Sequence, residues 1–522
     1  MQFPNKSLLL TAVIFQALLQ TGCAVNPVTG RNELSFVSEA QERAIGAQQY
    51  TPSRQSQGGD FTVDPVLTEY VNTVGQRLAA VSDRPLDYEF VVLNNSVPNA
   101  WALPGGKIAV NRGLLTELNN EAELAAVLGH EVTHAAARHG AQAMTRGTLL
   151  QGALAVGAIA LNDNDYADYI VGASQLGAQL ITQSYGRDAE READYYGIQY
   201  MVRAGYDPHA AITLQETFVR LSEGRESGWI DGLFASHPPS EERVRNNQAL
   251  VDELMPSLAG RDLDMGEARY QQATAFLREN KEAYALFDES EKAIQDKEFD
   301  IALLNLEAAE NMVPGEARFT GLKGDIQLYQ GNYRDAINAY DRAIAKDDDY
   351  YDYYLGRGVA YARLGQRAQA RTDLEHSADL LPTAVAMNEL GKIALADNNR
   401  GTAKQYFQEA AGAQGLVGQE ASRSFLRLDI EDNPAGYVSV RVFADDSGRI
   451  YGRVVNNAPV DVGNIRVDFA AVINGRLVRQ GRSLNNLSAN SYTDISSGLR
   501  FPEGQAWTSE QMEARIVGAG AL

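Results

Sequence analysis

Residues 121–140 read EAELAAVLGHEVTHAAARHG, and at their centre His130, Glu131, Val132, Thr133 and His134 form an HExxH motif. The stretch predicts a helix from Glu121 to Gly140, because Leu124, Val127 and Leu128 are spaced for a buried stripe and no proline interrupts it. On such a helix, positions four apart lie about 40° apart around the axis, so both imidazoles leave one face and reach one cation. Neutral imidazole suits zinc, and Glu131 beside the pair is a candidate general base for a water activated there. The chemistry expected is peptide-bond hydrolysis. Of the six histidines in 522 residues, three stand at 130, 134 and 139, which concentrates the rarest ligand type on this one stretch.

A zinc site that keeps a place for water needs three protein ligands. Metzincin spacing would put glycine at 137 and the third histidine at 140, but these positions hold Ala137 and Gly140. On a continuing helix His139 would lie about 180° from His130, which predicts a surface residue or one behind the ligands. Residues 187–197, RDAEREADYYG, offer a better partner. Glu190 and Asp194 share a helix face. If Glu190 ligates, Asp194 one turn on can accept the spare N–H of a ligand histidine and hold its tautomer, while Ala193 leaves room for two helices to approach. Read alone, such an acidic turn is a solvated face; beside HExxH it becomes the expected third ligand.

The pairing of His130-Glu131-x-x-His134 with Glu190-x-x-Ala193-Asp194 resembles the gluzincin zinc metallopeptidase family of HtpX, the CAAX prenyl endopeptidase and BepA, in particular its exported, repeat-containing, BepA-like lipoprotein members. Three further segments agree, in the family's order: NPVTGR at 26–31, NAWALPGG at 99–106 with Trp101 where the family has phenylalanine, and SHPPSEER at 236–243. The resemblance spans about residues 25 to 250. It implies that His130, His134 and Glu190 bind one Zn²⁺ per chain and that Glu131 polarises the attacking water. It also implies that His237 and Arg243 stand near the open side of the metal, where a donor stabilises the oxyanion. In some exported members the corresponding histidine instead fills the vacant metal position and holds the enzyme inactive, and the sequence does not choose between these roles.

Residues from Trp101 to Asn111 predict an edge strand. Ala102, Leu103, Pro104 and Gly105 are its candidate substrate contacts, through main-chain pairing with an extended peptide; a plain hairpin turning at Pro104-Gly105-Gly106 is compatible with the same residues. Residues 148–161, TLLQGALAVGAIAL, are apolar but too short to span a bilayer comfortably, and predict a buried helix or hairpin over the cleft, or else a mobile lid.

At the amino terminus, Lys6, an apolar run from Leu8 to Leu19 and then Gln20-Thr21-Gly22-Cys23 predict an export signal. Cys23 is the single cysteine, so no disulfide within the chain is possible. The segment resembles a bacterial lipobox with Gln20 in place of the usual leucine. That implies lipidation at Cys23 and a periplasm-facing protein anchored at the outer membrane, with ordinary cleavage and a soluble periplasmic enzyme as the alternative. A net charge of -22 argues against nucleic acid as a partner.

Beyond position 280 a repeat emerges. Ala302, Ala336, Ala370 and Ala403 recur every 33 or 34 residues, as do Gly324, Gly358 and Gly391, which is the tetratricopeptide period. The large residue four after each alanine is Leu306, Tyr340, Leu374 or Phe407. Such arrays bind peptides or partner proteins on a concave face, with Tyr350, Tyr351, Tyr353, Tyr354 and Tyr361 as candidate contacts or core. From about Asn433 alternating runs and the turns Asp446-Ser447-Gly448, Asn456-Asn457 and Asn474-Gly475 predict a small antiparallel, Ig-like β-sandwich.

The expected architecture is multidomain α+β: a mainly α-helical zincin domain with a small sheet, an α-solenoid and a terminal β-sandwich. Its expected boundaries are 1–22 signal peptide, 23–65 helical segment, 66–250 metallopeptidase, 251–282 connector, 283–415 four repeats and 433–522 β domain. The expected function is a periplasmic zinc metalloendopeptidase acting on misfolded or misassembled envelope proteins, with outer-membrane assembly proteins as partners of the repeats. The rival is an assembly chaperone or scaffold in which proteolysis is repressed.

Overall fold

The computed structural model describes residues 23–147, 185–224, 237–504 and 506–522. The expected signal peptide and the apolar segment 148–161 lie outside the described residues. The chain divides into two compact units, Met1–Pro382 and Thr383–Leu522.

The first unit opens with a small hairpin, β1 (Cys23–Val25) against β2 (Asn32–Leu34), followed by helices α1 (Glu39–Ser56) and α2 (Pro65–Ala79). Both helices start where the sequence supplies a cap. Ser38 and Gln41 exchange hydrogen bonds in a capping box at α1, and Asp64 accepts from Leu67 N at α2. A three-stranded sheet follows in the order β3 (Glu89–Leu93), β5 (Lys107–Asn111), β4 (Ala100–Leu103), with β3 parallel and β4 antiparallel to β5. Residues Trp101 to Asn111 thus form the hairpin turning at Pro104-Gly105-Gly106, and its first strand is also an edge strand. Gly105 and Gly106 adopt φ +85° and +91° at its turn, a region open to glycine, and β4 is left on the sheet edge.

Helix α3 (Glu121–Ala136) carries the HExxH motif, and its apolar face packs Leu124, Leu128 and Val132 into one buried cluster with Val92, Ile108 and Val110 of the sheet. The helix stops at Ala136 rather than reaching Gly140. Arg138 adopts φ 63°, and a second helix runs over 139–147. The break has a tertiary cause. Arg138 donates from Nε to Glu42 Oε2 (2.8 Å) and from Nη2 to Val37 O (2.7 Å), while Arg84, ion-paired to the same buried Glu42, donates to Ala135 O (3.2 Å). These bonds hold a left-handed residue that costs roughly 1–2 kcal/mol in isolation.

Among the described residues of the domain, three further helices follow: α4 (Arg187–Arg203), α5 (Ala210–Gly224) and α6 (Glu241–Leu254). Glycines allow α3 and α4 to touch backbone to backbone. A Cβ built on Gly197 would stand 3.0 Å from His130 N, and one on Gly129 would stand 3.0 Å from Gly197 O. Ala193, expected to make this room, is fully buried beside the contact, but the glycine pair is what sets the approach.

The repeats form antiparallel helix pairs, α7 (Lys281–Gln295) with α8 (Phe299–Met312), α9 (Ala317–Tyr329) with α10 (Tyr333–Lys346), and α11 (Tyr351–Arg363) with α12 (Arg367–Leu380). Ala302, Ala336 and Ala370 lie on the second helix of each pair and are fully buried. The glycine period has a steric cause. Gly324 faces Tyr340 and Gly358 faces Leu374, and a Cβ at either would come within 2.8 Å of the opposing side chain. Tyr350 and Tyr353 are core residues, whereas Tyr351, Tyr354 and Tyr361 are half-buried.

The second unit begins with α13 (Ala384–Ala396), α14 (Arg400–Ala411) and α15 (Gly415–Asp432), where Gly391 faces Phe407 by the same rule. Two three-stranded antiparallel sheets follow. One is ordered β10 (Tyr492–Arg500), β7 (Arg449–Asn456), β6 (Val438–Ala444). The other is ordered β11 (Met512–Ala521), β8 (Val462–Ile473), β9 (Arg476–Leu487). Val438 and Val454 of the first sheet share a buried cluster with Ile465, Val467, Phe469 and Leu487 of the second.

Candidate metal centre

Helices α3 and α4, locked together at Gly129 and Gly197, bring His130, His134 and Glu190 together, and His237, just before α6, joins them. One donor atom from each of the four residues lies within 4.8 Å of the others. His130 Nε2 and His134 Nε2 are 3.0 Å apart. Glu190 reaches them with Oε2 at 3.5 Å from the first and Oε1 at 3.4 Å from the second. His237 Nδ1 lies 3.0 Å from Glu190 Oε1 and 3.3 Å from His130 Nε2, so it sits within the donor set rather than beside it.

Three imidazoles and a carboxylate turned inward in one buried cluster make up a donor set that can hold a metal ion. The electrostatics of the cluster suit a cation. Burial would push the Glu190 carboxyl up, but the charges of His237 and His130 and the hydrogen bonds of His130 and His134 hold it well below the usual range. Burial alone would lower His130, yet the charge of Glu190 and the hydrogen bond it donates to Asp194 raise it to about 10. Burial drives His134 well below its usual value and so keeps it neutral. Among the described residues, Glu131 Oε2 is buried without a hydrogen-bond partner. Its burial raises the carboxyl's pKa, against the lowering pull of His237 and His130, as befits a base that must also release its proton.

Asp194 lies behind His130, with Oδ1 3.0 Å from His130 Nδ1. Arg243 on α6 grips Asp194 with two bonds, from Nε to Oδ2 (2.7 Å) and from Nη2 to Oδ1 (2.6 Å). Its Nη1 lies 3.1 Å from Glu190 Oε2 and donates to Pro238 O at 3.3 Å. Every guanidinium nitrogen therefore holds a protein oxygen. The expectation placed Arg243 as a donor near the open side of the metal; here it lines the cavity beside Glu131 and His237 while gripping Asp194 next to Glu190.

Of the two places expected for His139, surface or behind the ligands, it takes the second: the turn at Arg138 folds it back, buried, against His134, Nδ1 to Nδ1 at 2.9 Å. Tyr185 stacks on the His134 ring with centroids 4.0 Å apart, and no sequence signal marked it. A cavity of about 40 Å³ adjoins Glu131 and His237, walled by Ala126, Val127, Ile198, Met201, Leu214 and Phe218.

The substrate-contact candidates lie on the edge strand β4 (Ala102 and Leu103) and in its turn (Pro104 and Gly105). That turn packs closely on α1, since a Cβ on Gly46 would overlap Pro104 O. Cys23 is the first residue of β1, paired with Leu34. Among the described residues, no helix is long and apolar enough to cross a membrane.

Residues 65–251 match the model of Peptidase family M48, and residues 322–385 match a tetratricopeptide repeat model. The chain is 28% identical over 348 residues to the Beta-barrel assembly-enhancing protease of Escherichia coli, covering 61% of this chain and 69% of that protein. The same protease of Yersinia pestis aligns at 28% identity over 367 residues, 66% of this chain and 75% of its own. The Mitochondrial metalloendopeptidase OMA1 of Schizosaccharomyces pombe is 33% identical over 235 residues, 44% of this chain and 66% of its own.

Proposed function

We propose that this chain, whose residues 65–251 are a peptidase family M48 domain, is a zinc-dependent metalloendopeptidase of the bacterial periplasm that cleaves misfolded or misassembled envelope proteins. The observation that carries the reading is the convergence of His130, His134 and Glu190 with Glu131 poised at their side. His130, His134 and Glu190 would hold the ion. Zinc, when bound, supplies a Lewis acid that polarises the scissile carbonyl and makes water a better nucleophile.

The remaining steps belong to the chain. Glu131, ionised, takes a proton from the attacking water as the new C–O bond forms, then delivers it to the amine nitrogen as the C–N bond breaks. Asp194, clamped by Arg243, accepts a hydrogen bond from His130 Nδ1–H, which keeps the proton on Nδ1 and leaves Nε2 bare toward the ligand cluster. Ala102, Leu103, Pro104 and Gly105 on and beyond β4 form the contact strip for extended substrate backbone, a pairing that requires these buried residues to be uncovered and that would give broad sequence tolerance. The apolar cavity beside Glu131 takes a small aliphatic side chain.

The repeats hold protein substrates or outer-membrane assembly partners, in keeping with the name of the Escherichia coli relative. The apolar run before Cys23 supports export, and lipidation at Cys23 would attach the enzyme to the outer membrane.

A second reading, an assembly chaperone with proteolysis repressed, is favoured by one distance. His237 Nδ1, 3.0 Å from Glu190 Oε1, stands where it can complete the ligand set itself. Glu131→Gln separates the two. On the enzyme reading, zinc content is retained while cleavage of an unfolded protein substrate falls by about 10²-fold or more. Unchanged envelope function in cells carrying that variant would favour the chaperone.

A further inference from the structure

The two ligand histidines are supported by different devices. His130 rests directly on a carboxylate, Asp194. His134 rests on a second imidazole, and the groups behind that imidazole lead out of the domain core to the amino-terminal hairpin.

The proton positions follow from the contacts. His134 directs Nε2 into the cluster, 3.4 Å from Glu190 Oε1, so to ligate it must carry its proton on Nδ1. His139 Nδ1, 2.9 Å away, must then accept, which puts the His139 proton on Nε2. That nitrogen lies 3.3 Å from Glu192 Oε1. The same carboxylate oxygen takes a second bond, 3.0 Å, from Asn26 Nδ2. The Asn26 amide cannot flip without loss, because its Oδ1 accepts from Val28 N (2.9 Å) and Thr29 N (3.2 Å) within the turn joining β1 and β2. Asn26 and His139 are each 1% exposed, so the path runs through the interior.

We propose that Asn26, Glu192 and His139 form a positioning relay that fixes the tautomer and ring orientation of His134, making the turn at residues 26–31 a working part of the metal centre. The inference rests on the metallopeptidase reading of that centre. It also explains the left-handed Arg138. A continuing helix would carry His139 to the far side from His130, whereas the turn at φ 63° brings it against His134.

The test uses the full chain, stripped of metal and titrated with zinc against a chromophoric chelator, and with cobalt to read the visible spectrum. His139→Leu removes the acceptor. It should weaken zinc binding roughly 10–100-fold and change the cobalt band, as loss of a partner behind a ligand histidine does. His139→Gln restores an acceptor oxygen and should recover most of the affinity. Glu192→Gln and Asn26→Ala act further out and should give smaller losses in the same direction, and they carry the test if His139→Leu does not fold. The melting temperature of each metal-free variant, measured alongside, reports any general loss of packing.

Zinc affinity and a cobalt spectrum unchanged in His139→Leu would overturn the relay. So would a His139→Gln variant as defective as His139→Leu, since that is the signature of packing alone. If the unaltered chain bound no zinc, the metallopeptidase reading would fall first and the relay with it.

Discussion

Gly129 and Gly197 lie in backbone contact across the two ligand-bearing helices, so close that a Cβ on Gly197 would stand 3.1 Å from Gly129 C and 3.0 Å from His130 N. Backbone atoms cannot rotate aside as the end of a side chain can. Helix α4 would therefore have to shift bodily, taking Glu190 and Asp194 with it. Gly197→Ala is expected to destabilise the domain by about 1–3 kcal/mol and to weaken zinc binding several-fold. Urea unfolding and zinc titration on one preparation check both, and an unaltered zinc affinity would show that α4 does not set the ligand spacing.

Arg243 is the cation that makes the acidic half of the site tolerable. It is buried, bonded twice to Asp194 and paired with Glu190, and it is held above its usual pKa by those carboxylates against the lowering effect of its own burial. Arg243→Met leaves two buried carboxylates without it, and breaking such a pair costs about 3–5 kcal/mol. Arg243→Lys should recover only part of this, because an ammonium cannot repeat the forked bond to Asp194. Denaturant midpoints of the metal-free proteins decide the matter. A loss below about 1 kcal/mol for the methionine variant would mean the carboxylates find other partners.

What a reader of the sequence can and cannot see here divides by sequence distance. The HExxH spacing and the Glu190–Asp194 spacing lie within single helices, where residue identity and the 3.6 period carry the information. The glycine and alanine periods of the repeats are equally legible, since each marks a helix contact repeated every 33 or 34 residues. The end of α3 is not. Its helical pattern continues through Gly140, and the turn at Arg138 is imposed by Glu42, 96 residues away. Nothing local announces Asn26 as a neighbour of Glu192, 166 residues downstream. One signal was available. Glycine within a helix costs about 1 kcal/mol relative to alanine, so Gly129 beside the motif and Gly197 seven residues past Glu190 mark a close helix contact.

Proton release should accompany metal uptake. The unfolded-state pKa of His130 is 6.5 and its metal-free folded value is about 10. The stabilisation from the charged ring is therefore complete below about pH 6.5 and lost as the pH rises through 10. Ligation requires the neutral ring. Near pH 7 zinc binding is expected to release about one proton, and zinc affinity should rise roughly tenfold per pH unit up to about 10. Calorimetry in buffers of different ionisation enthalpy counts the proton directly. A count near zero would place His130 as neutral before metal arrives.

The repeats offer a test that leaves the metal centre alone. Tyr340 is fully buried and donates its hydroxyl to Asp325 Oδ1 at 2.6 Å, while Gly324 and Gly356 flank the ring. A Cβ on Gly356 would fall 2.3 Å from both Cζ and the hydroxyl oxygen, so alanine there must push the ring off its seat and break the bond to Asp325. That bond matters, because burial and the nearby Asp352 push the Asp325 carboxyl up and the Tyr340 hydroxyl opposes them. Gly356→Ala should cost about 1–3 kcal/mol, an overpacking penalty. It should speed amide exchange in α9, α10 and α11 while zinc affinity and cleavage of a short peptide stay as they were. Cleavage of a folded protein substrate should fall if the repeats hold it. A variant that loses short-peptide cleavage as well would show that the array supports the catalytic domain directly rather than recruiting its substrates.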